Sequence, residues 1–365
     1  LSCGSCCSTV CQFSDNLHRV MKSPSLLVAL AVASFMTSHC LYAEEGDDVQ
    51  QPKPSGPDLK KLAKAITFFS MDMHTVLSET KESFLFSPIG IHLALVMALV
   101  GAKGPTANEM KIALEVKNIK NLEEQYKGWL DTTTDNCHLG KDCEMQLNKT
   151  FMFYPGVKVE NKFATTINSV YTPSVVALET KTGWTSISFF TSLTKEAHKQ
   201  TLSMIFNVLN LRLRWRRKFI YNSGNYMDFT TSTFQKVKTT SMRVRGSFRY
   251  AFSHALNGHV LKIPFENDRF GFYIIQPTTA DGLAKLEGKL ARRSLHLDQV
   301  LDSVKVRDVL VELPLLRFAD VIELEAPLRK LGINAAFAYD ADFTKATPLR
   351  CNIGQARQVP LMNLG

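Results

Sequence analysis

Between Phe84 and Gly104 the sequence reads Phe-Leu-Phe-Ser-Pro-Ile-Gly-Ile-His-Leu-Ala-Leu-Val-Met-Ala-Leu-Val-Gly-Ala-Lys-Gly, and few folds can accommodate such a run. Ser87 suits a helix N-cap and Pro88 the first helical position, where a fixed φ and a missing N–H cost nothing. From Ile89 to Val100 almost every side chain is apolar, so the predicted helix has no wet face. It is too short to span a bilayer. Such a helix must be surrounded by protein, which requires a large core. Gly101 and Gly104 are expected to end it, and Thr106 with Glu109 reads as a capping box opening a second helix through Met110, Ile112, Ala113 and Leu114.

Elsewhere the chain alternates between helical and strand patterns. Leu62, Ile66, Phe69, Met73 and Leu77 recur at helical spacing and predict an amphipathic helix over 59–77. Met145 to Tyr154 reads as a strand that turns at Pro155-Gly156, and Val309 to Pro314 alternates as another. In the stretch from Asn207 to Trp215, Leu211, Leu213 and Trp215 alternate with Arg212, Arg214 and Arg216, giving a strand with one apolar and one basic face. With 365 residues and 45% hydrophobic content, the chain is large enough to bury one extensive core.

The N-terminal region reads as processing signals. Met21-Lys-Ser-Pro-Ser, the apolar run Leu26 to Phe35 and the close at Leu41-Tyr-Ala43 have the form of a secretory signal peptide over 21–43. Residues 1–20 read as translated leader, and 44–58, acidic and proline-bearing, as a lead-in with little to bury. Removing 1–43 changes the net charge only from +9 to about +8, because Arg19 and Lys22 outweigh Asp15 by one. In an oxidising compartment Cys137 and Cys143 are close enough in sequence to pair, leaving Cys351 over, and Asn148-Lys-Thr is a glycosylation sequon.

No enzyme constellation stands out. Ser78-x-x-Lys81 and Lys181-Thr-Gly183 match parts of a serine-hydrolase signature by chance, since the only Ser-Asp-Asn, at Ser14, lies in the leader. His92 reads as a hydrogen-bonded core residue. The positive charge favours acidic partners, and Arg212, Arg214, Arg216, Arg217 and Lys218, with Lys236, Lys238, Arg243, Arg245 and Arg249 nearby, form a candidate surface for heparin-like sulfated glycans. Nucleic acid is disfavoured because those cations lack interleaved aromatics in the sequence. No cofactor and no membrane span are expected.

The motif Phe86-Ser-Pro-x-x-Ile91, followed by Gly101-Ala-x-Gly-x-Thr-x-x-Glu109, resembles the serpin family of serine protease inhibitors. Asn207-Val-Leu-Asn-Leu-Arg-Leu-Arg-Trp215 with Phe219, Val260 to Phe265 and Ala341-Asp-Phe343 extend the resemblance over 59–347, weakest at 157–200. It implies a mixed α/β fold of three β-sheets with surrounding helices. It also implies inhibition without a catalytic site: a protease cleaves an exposed bait loop, and the loop then inserts into the main sheet as a new strand. By the same resemblance Ser87, Pro88 and Asn207 lie at the shutter where that sheet parts, and Trp215 at the breach where the loop enters. Gly90 stands where the family has a second serine. The sequence 348–365 reads as a divergent tail lacking the reactive loop and final strands, so the alternative is a non-inhibitory, secreted binding protein carrying glycans or small hydrophobic ligands.

Overall fold

The computed structural model describes residues 57–364, apart from 82, 139–142, 154–156, 172–174, 178–202, 231–235, 267–269, 280–281, 296, 320 and 359–360. The leader and signal readings and the lead-in up to 56 lie outside the described residues, as does the weakly matching stretch from 178 to 200, whereas Pro57 and Asp58, read as the end of the lead-in, already belong to the first helix. The helices are α1 (Pro57–Ser78), α2 (Pro88–Gly101), α3 (Gly104–Ala113), α4 (Leu122–His138), α5 (Asn161–Tyr171), α6 (Leu283–Leu290), α7 (Leu297–Asp302) and α8 (Glu325–Lys330). The strands are β1 (Cys143–Phe153), β2 (Val175–Ala177), β3 (Ser203–Leu213), β4 (Ile220–Thr230), β5 (Lys236–Ser253), β6 (Gly258–Pro264), β7 (Gly271–Pro277), β8 (Lys305–Pro314), β9 (Leu316–Ala319), β10 (Ile322–Glu323), β11 (Ile353–Gln358) and β12 (Leu361–Leu364).

These strands make three sheets. The first has five strands in the order β10-β11-β3-β1-β2, and a two-stranded ladder joins β12 to β9. In the third, β5 pairs with β4 and β6, with β7 beyond β6, while β8 lies along the other side of β5. The length of β5 is what lets one strand serve neighbours at both ends.

The apolar helix lies where its composition demands. Every residue of α2 except Val100 is buried, and the helix packs against α1, α3, α5, β1 and β3. Its predicted start holds in atomic detail: Ser87 caps it, accepting from the Gly90 N–H at 3.3 Å. The predicted stripe Leu62, Ile66, Phe69, Met73 and Leu77 of α1 is buried against it. A second, smaller cluster places Leu286, Leu290, Leu297 and Leu301 of α6 and α7 against Val260, Tyr273 and Ile275 of β6 and β7.

His92 is fully buried, as expected of a core residue. Its Nε2 lies 2.9 Å from the Leu114 carbonyl, and its Nδ1 meets the Tyr126 hydroxyl. The neutral ring serves both partners when Nε2–H donates to the carbonyl and Nδ1 accepts from the tyrosine. Burial holds the imidazole down at about 4, which keeps that form.

Two readings of the chain are corrected here. Thr106 and Glu109 do not form a capping box: the N-cap of α3 is Lys103, with no side-chain bond, and Gly104 opens the helix at φ +52°. Thr106 Oγ1 instead accepts from the Asp342 N–H at 3.0 Å, and Glu109 accepts from the N–H groups of Asn334 and Ala335 at 2.8 and 2.7 Å. The conspicuous threonine and glutamate thus anchor a segment more than two hundred residues downstream. Second, the residues after Thr347 are not outside the domain: they supply β11, an internal strand of the five-stranded sheet, and β12.

Candidate functional site

In the five-stranded sheet β3 is antiparallel to β1, and β11 is antiparallel to β10, yet β3 and β11 run parallel to each other. Their register aligns Ala356 with Ile205, Arg357 with Phe206 and Gln358 with Asn207, after an irregularity between Ile353 and Gln355. This pair is a seam in the chemical sense. A strand entering between them in the opposite direction would be antiparallel to both, and antiparallel ladders are slightly the more stable per residue.

The seam is pinned to α2 by one side chain. Gln358, 2% exposed, accepts from the Ser87 N–H at 2.8 Å and donates its Nε2–H to the Ser87 carbonyl at 3.1 Å. Pro88 follows at the first helical position. Both main-chain groups of Ser87 are therefore satisfied by a strand that borders the seam, while the hydroxyl of Ser87 is engaged in capping. Asn207 sits opposite Gln358 on one side and Lys149 on the other. Gln358 thus links Ser87, at the start of α2, to the row of the sheet that holds Asn207. Gln358 was not legible as their partner, because its surroundings read as a divergent tail.

Trp215 lies just past the end of β3, where a single antiparallel bridge joins it to Phe265. Its ring stacks on Phe265 with centroids 4.5 Å apart and meets Phe219 and Phe272 edge-on at 5.3 and 5.6 Å. Backbone bonds from Arg216 N–H to the Pro264 carbonyl and from Glu266 N–H to the Arg214 carbonyl flank it. This cluster clamps the end of β3 to the end of β6.

The basic ladder is not continuous. Strand β3 ends at Leu213, so Arg214, Arg216, Arg217 and Lys218 lie in the exposed connection to β4. Arg212 lies within β3, opposite Glu144. Further along, Arg243 bonds the buried Glu312 at 2.7 Å and Arg245 reaches Asp308 at 3.3 Å. Cys137 falls near the end of α4, Cys143 opens β1, and Asn148 is mid-strand in β1 opposite Val208. Among the described residues no group of three or more His, Cys, Asp or Glu could hold a metal ion, and no helix is long and apolar enough to cross a membrane.

Residues 64–363 match the family model for serpins, the serine protease inhibitors. The chain is a serpin. The match takes in β11 and most of β12, so the resemblance continues past Thr347 and the reading of 348–365 as divergent is overturned. Among relatives, the pig leukocyte elastase inhibitor is 23% identical over 329 residues, covering 80% of this chain and 82% of that protein. Among solved structures, a highly specific serpin of the insect Tenebrio molitor aligns with a TM-score of 0.72 at 19% identity, over 85% of this chain and 88% of its own. Human thyroxine-binding globulin in complex with its ligand aligns at 0.70 and 17%, over 84% and 86%. At these identities the structural likeness establishes the fold, which hosts both inhibitors and carriers. The family is one of serine protease inhibitors.

Proposed function

We propose that this serpin is a secreted inhibitor of serine proteases that works by taking a cleaved bait segment as an additional strand between β3 and β11. The observation that carries the reading is the parallel seam in the five-stranded sheet, clasped to α2 through Gln358 and Ser87. Inserting a strand exchanges one parallel ladder for two antiparallel ones and adds a full row of main-chain hydrogen bonds. That gain in order drives distortion of the attached protease, so the inhibitor needs no catalytic group of its own. The relationship to an elastase inhibitor supports the substrate class, and the signal-like sequence at 21–43 supports secretion.

Insertion is tested by supplying the strand in trans. A synthetic peptide of about ten residues, matching a strand's usual length and rich in alanine and threonine, is incubated with the protein before thermal melting. At a peptide concentration about one hundred times its Kd, the expected stabilisation is about 2.7 kcal/mol. That corresponds to a rise in Tm on the order of 5–10 °C. An unchanged Tm, with no peptide crosslinked to β3 or β11, contradicts the proposal.

A second reading draws on the exposed run Arg214, Arg216, Arg217 and Lys218, whose spacing suits a sulfated glycan. Heparin retention well beyond that of a charge-matched control protein is its expected result. Retention equal to the control's removes it.

A further inference from the structure

The sheet built on β5 has an open side. Among the described residues β4 pairs only with β5, so its outer backbone N–H and C=O groups face away from any strand. Proteins normally blunt such an edge, because it is a template for another chain. Here the edge carries large apolar groups: Tyr221 is 56% exposed, Tyr226 59% and Ile220 70%.

Register sorts these side chains by face. Tyr226 is opposite Thr240, Asp228 opposite Lys238, and Thr230 opposite Lys236, and directly opposed residues share a face. That face therefore presents Tyr226 with the exposed cations Lys236 and Lys238, and Asp228 is the only acid in the paired block. On the same face of β5, but beyond this block, the Arg217 side chain lies across Gly246, filling the space a Cβ would occupy at 2.9 Å. The opposite face carries Val237, which is 42% exposed, and Ile220 against Arg243. Its arginines are already matched, Arg243 to Glu312 and Arg245 to Asp308. One face is thus cationic and aromatic, while the other is apolar and charge-balanced.

We propose that the open edge of β4 docks an extended acidic polypeptide, a partner strand that alternates acidic with apolar side chains. An acidic position beside Thr230 would reach Lys236 behind it and one beside Tyr226 would meet the tyrosine hydroxyl, while Lys238 already has Asp228 opposite it, and the apolar positions would lie beside Ile220 and Val237. The unpaired main chain selects a polypeptide, since a glycan or nucleic acid cannot complete a β-ladder. The lysines select its charge, and they reject a second basic copy of the same edge. Exposed tyrosine supplies the large, low-entropy contact area typical of interface anchors. The surface is separate from the β3–β11 seam, so it stands or falls independently of strand insertion.

The test uses the purified chain and a fluorescent octapeptide of alternating glutamate and valine. Controls are the lysine–valine analogue, a glutamate–valine peptide N-methylated at alternate residues, and a heparin octasaccharide. The acidic peptide is expected to bind saturably and to weaken with salt. Its affinity is expected to fall at least tenfold in Tyr226→Ala and in the double variant Lys236→Gln/Lys238→Gln, with Tm unchanged because all three side chains are exposed and neither glutamine sets a like charge opposite Asp228. N-methylation, which blocks the ladder, is expected to abolish binding. Equal binding of the N-methylated or lysine peptide would overturn the proposal, as would binding of the octasaccharide alone.

Discussion

Gln358 is the side chain on which the state of the seam depends. It bonds both main-chain groups of Ser87, and removing it strands the buried Ser87 N–H, whereas the carbonyl keeps the Ile91 N–H at 3.1 Å. Leaving such a group unpaired costs about 1–3 kcal/mol. Gln358→Ala is therefore expected to lower the unfolding free energy by that amount, read from the urea midpoint and slope, and to speed strand-peptide uptake, because the clasp on β11 is gone. A variant that melts as the parent does would show that the clasp contributes nothing. Two histidines make a second prediction. His92 and His74 are both buried, and burial holds each at about 4, below the ordinary 6.5. A histidine with a lowered native value is neutral in the fold, so its contribution is complete above pH 6.5 and is lost as pH falls from 6.5 toward 4. The slope is about 1.4 kcal/mol per pH unit for each ring. Glu287, 3.8 Å from His74 and pushed up by burial, gains in the fold as it protonates and partly offsets the loss. Denaturant midpoints between pH 7 and 4 should fall, and Tyr126→Phe, which removes the donor to His92, should lower them throughout.

At the scale of elements, α2 was the most legible part of the chain. Its continuous apolar run leaves no alternative to burial, and Ser87 and Pro88 mark its start. The elements after it were readable as types but not as partners. The capping-box spacing of Thr106 and Glu109 is genuine, yet those side chains turn to residues 334–342, because a proline near the helix start and a glycine at φ +52° already shape α3. Sequence spacing reports local options, and a distant segment competing for the same side chains is invisible to it. The same holds for β11, whose short alternation is weak until β3 and β10 pair on either side. Glycines give a clean test of this distinction. A Cβ at Gly101 would lie 2.7 Å from Ala346 Cβ and 3.1 Å from Phe163, where α2 meets the downstream segment. Gly101→Ala is expected to destabilise by about 1–3 kcal/mol. At Gly128 in α4 nothing lies within 4 Å, so Gly128→Ala should instead stabilise by about 0.5–1 kcal/mol. Thermal melts of the pair, moving in opposite directions, would confirm the placement of both helices.

For the whole molecule, the resemblance read from Phe84–Glu109 and Asn207–Trp215 was sufficient for the fold, and the basic strand was where it misled. Alternation carried the ladder through Trp215, but the strand ends at Leu213 because Trp215 turns to stack on Phe265. What unites the molecule is a five-stranded sheet whose two internal neighbours, β3 and β11, point the same way. The central claim is that this seam opens. The decisive measurement is the strand peptide's effect on Tm in a double variant, Phe206→Cys with Arg357→Cys, at positions directly paired across the seam. With the disulfide formed, the peptide should leave Tm unchanged, and adding reductant should restore the full rise. A rise of equal size in the oxidised form would mean that the strand enters elsewhere, and the account of the seam would be wrong.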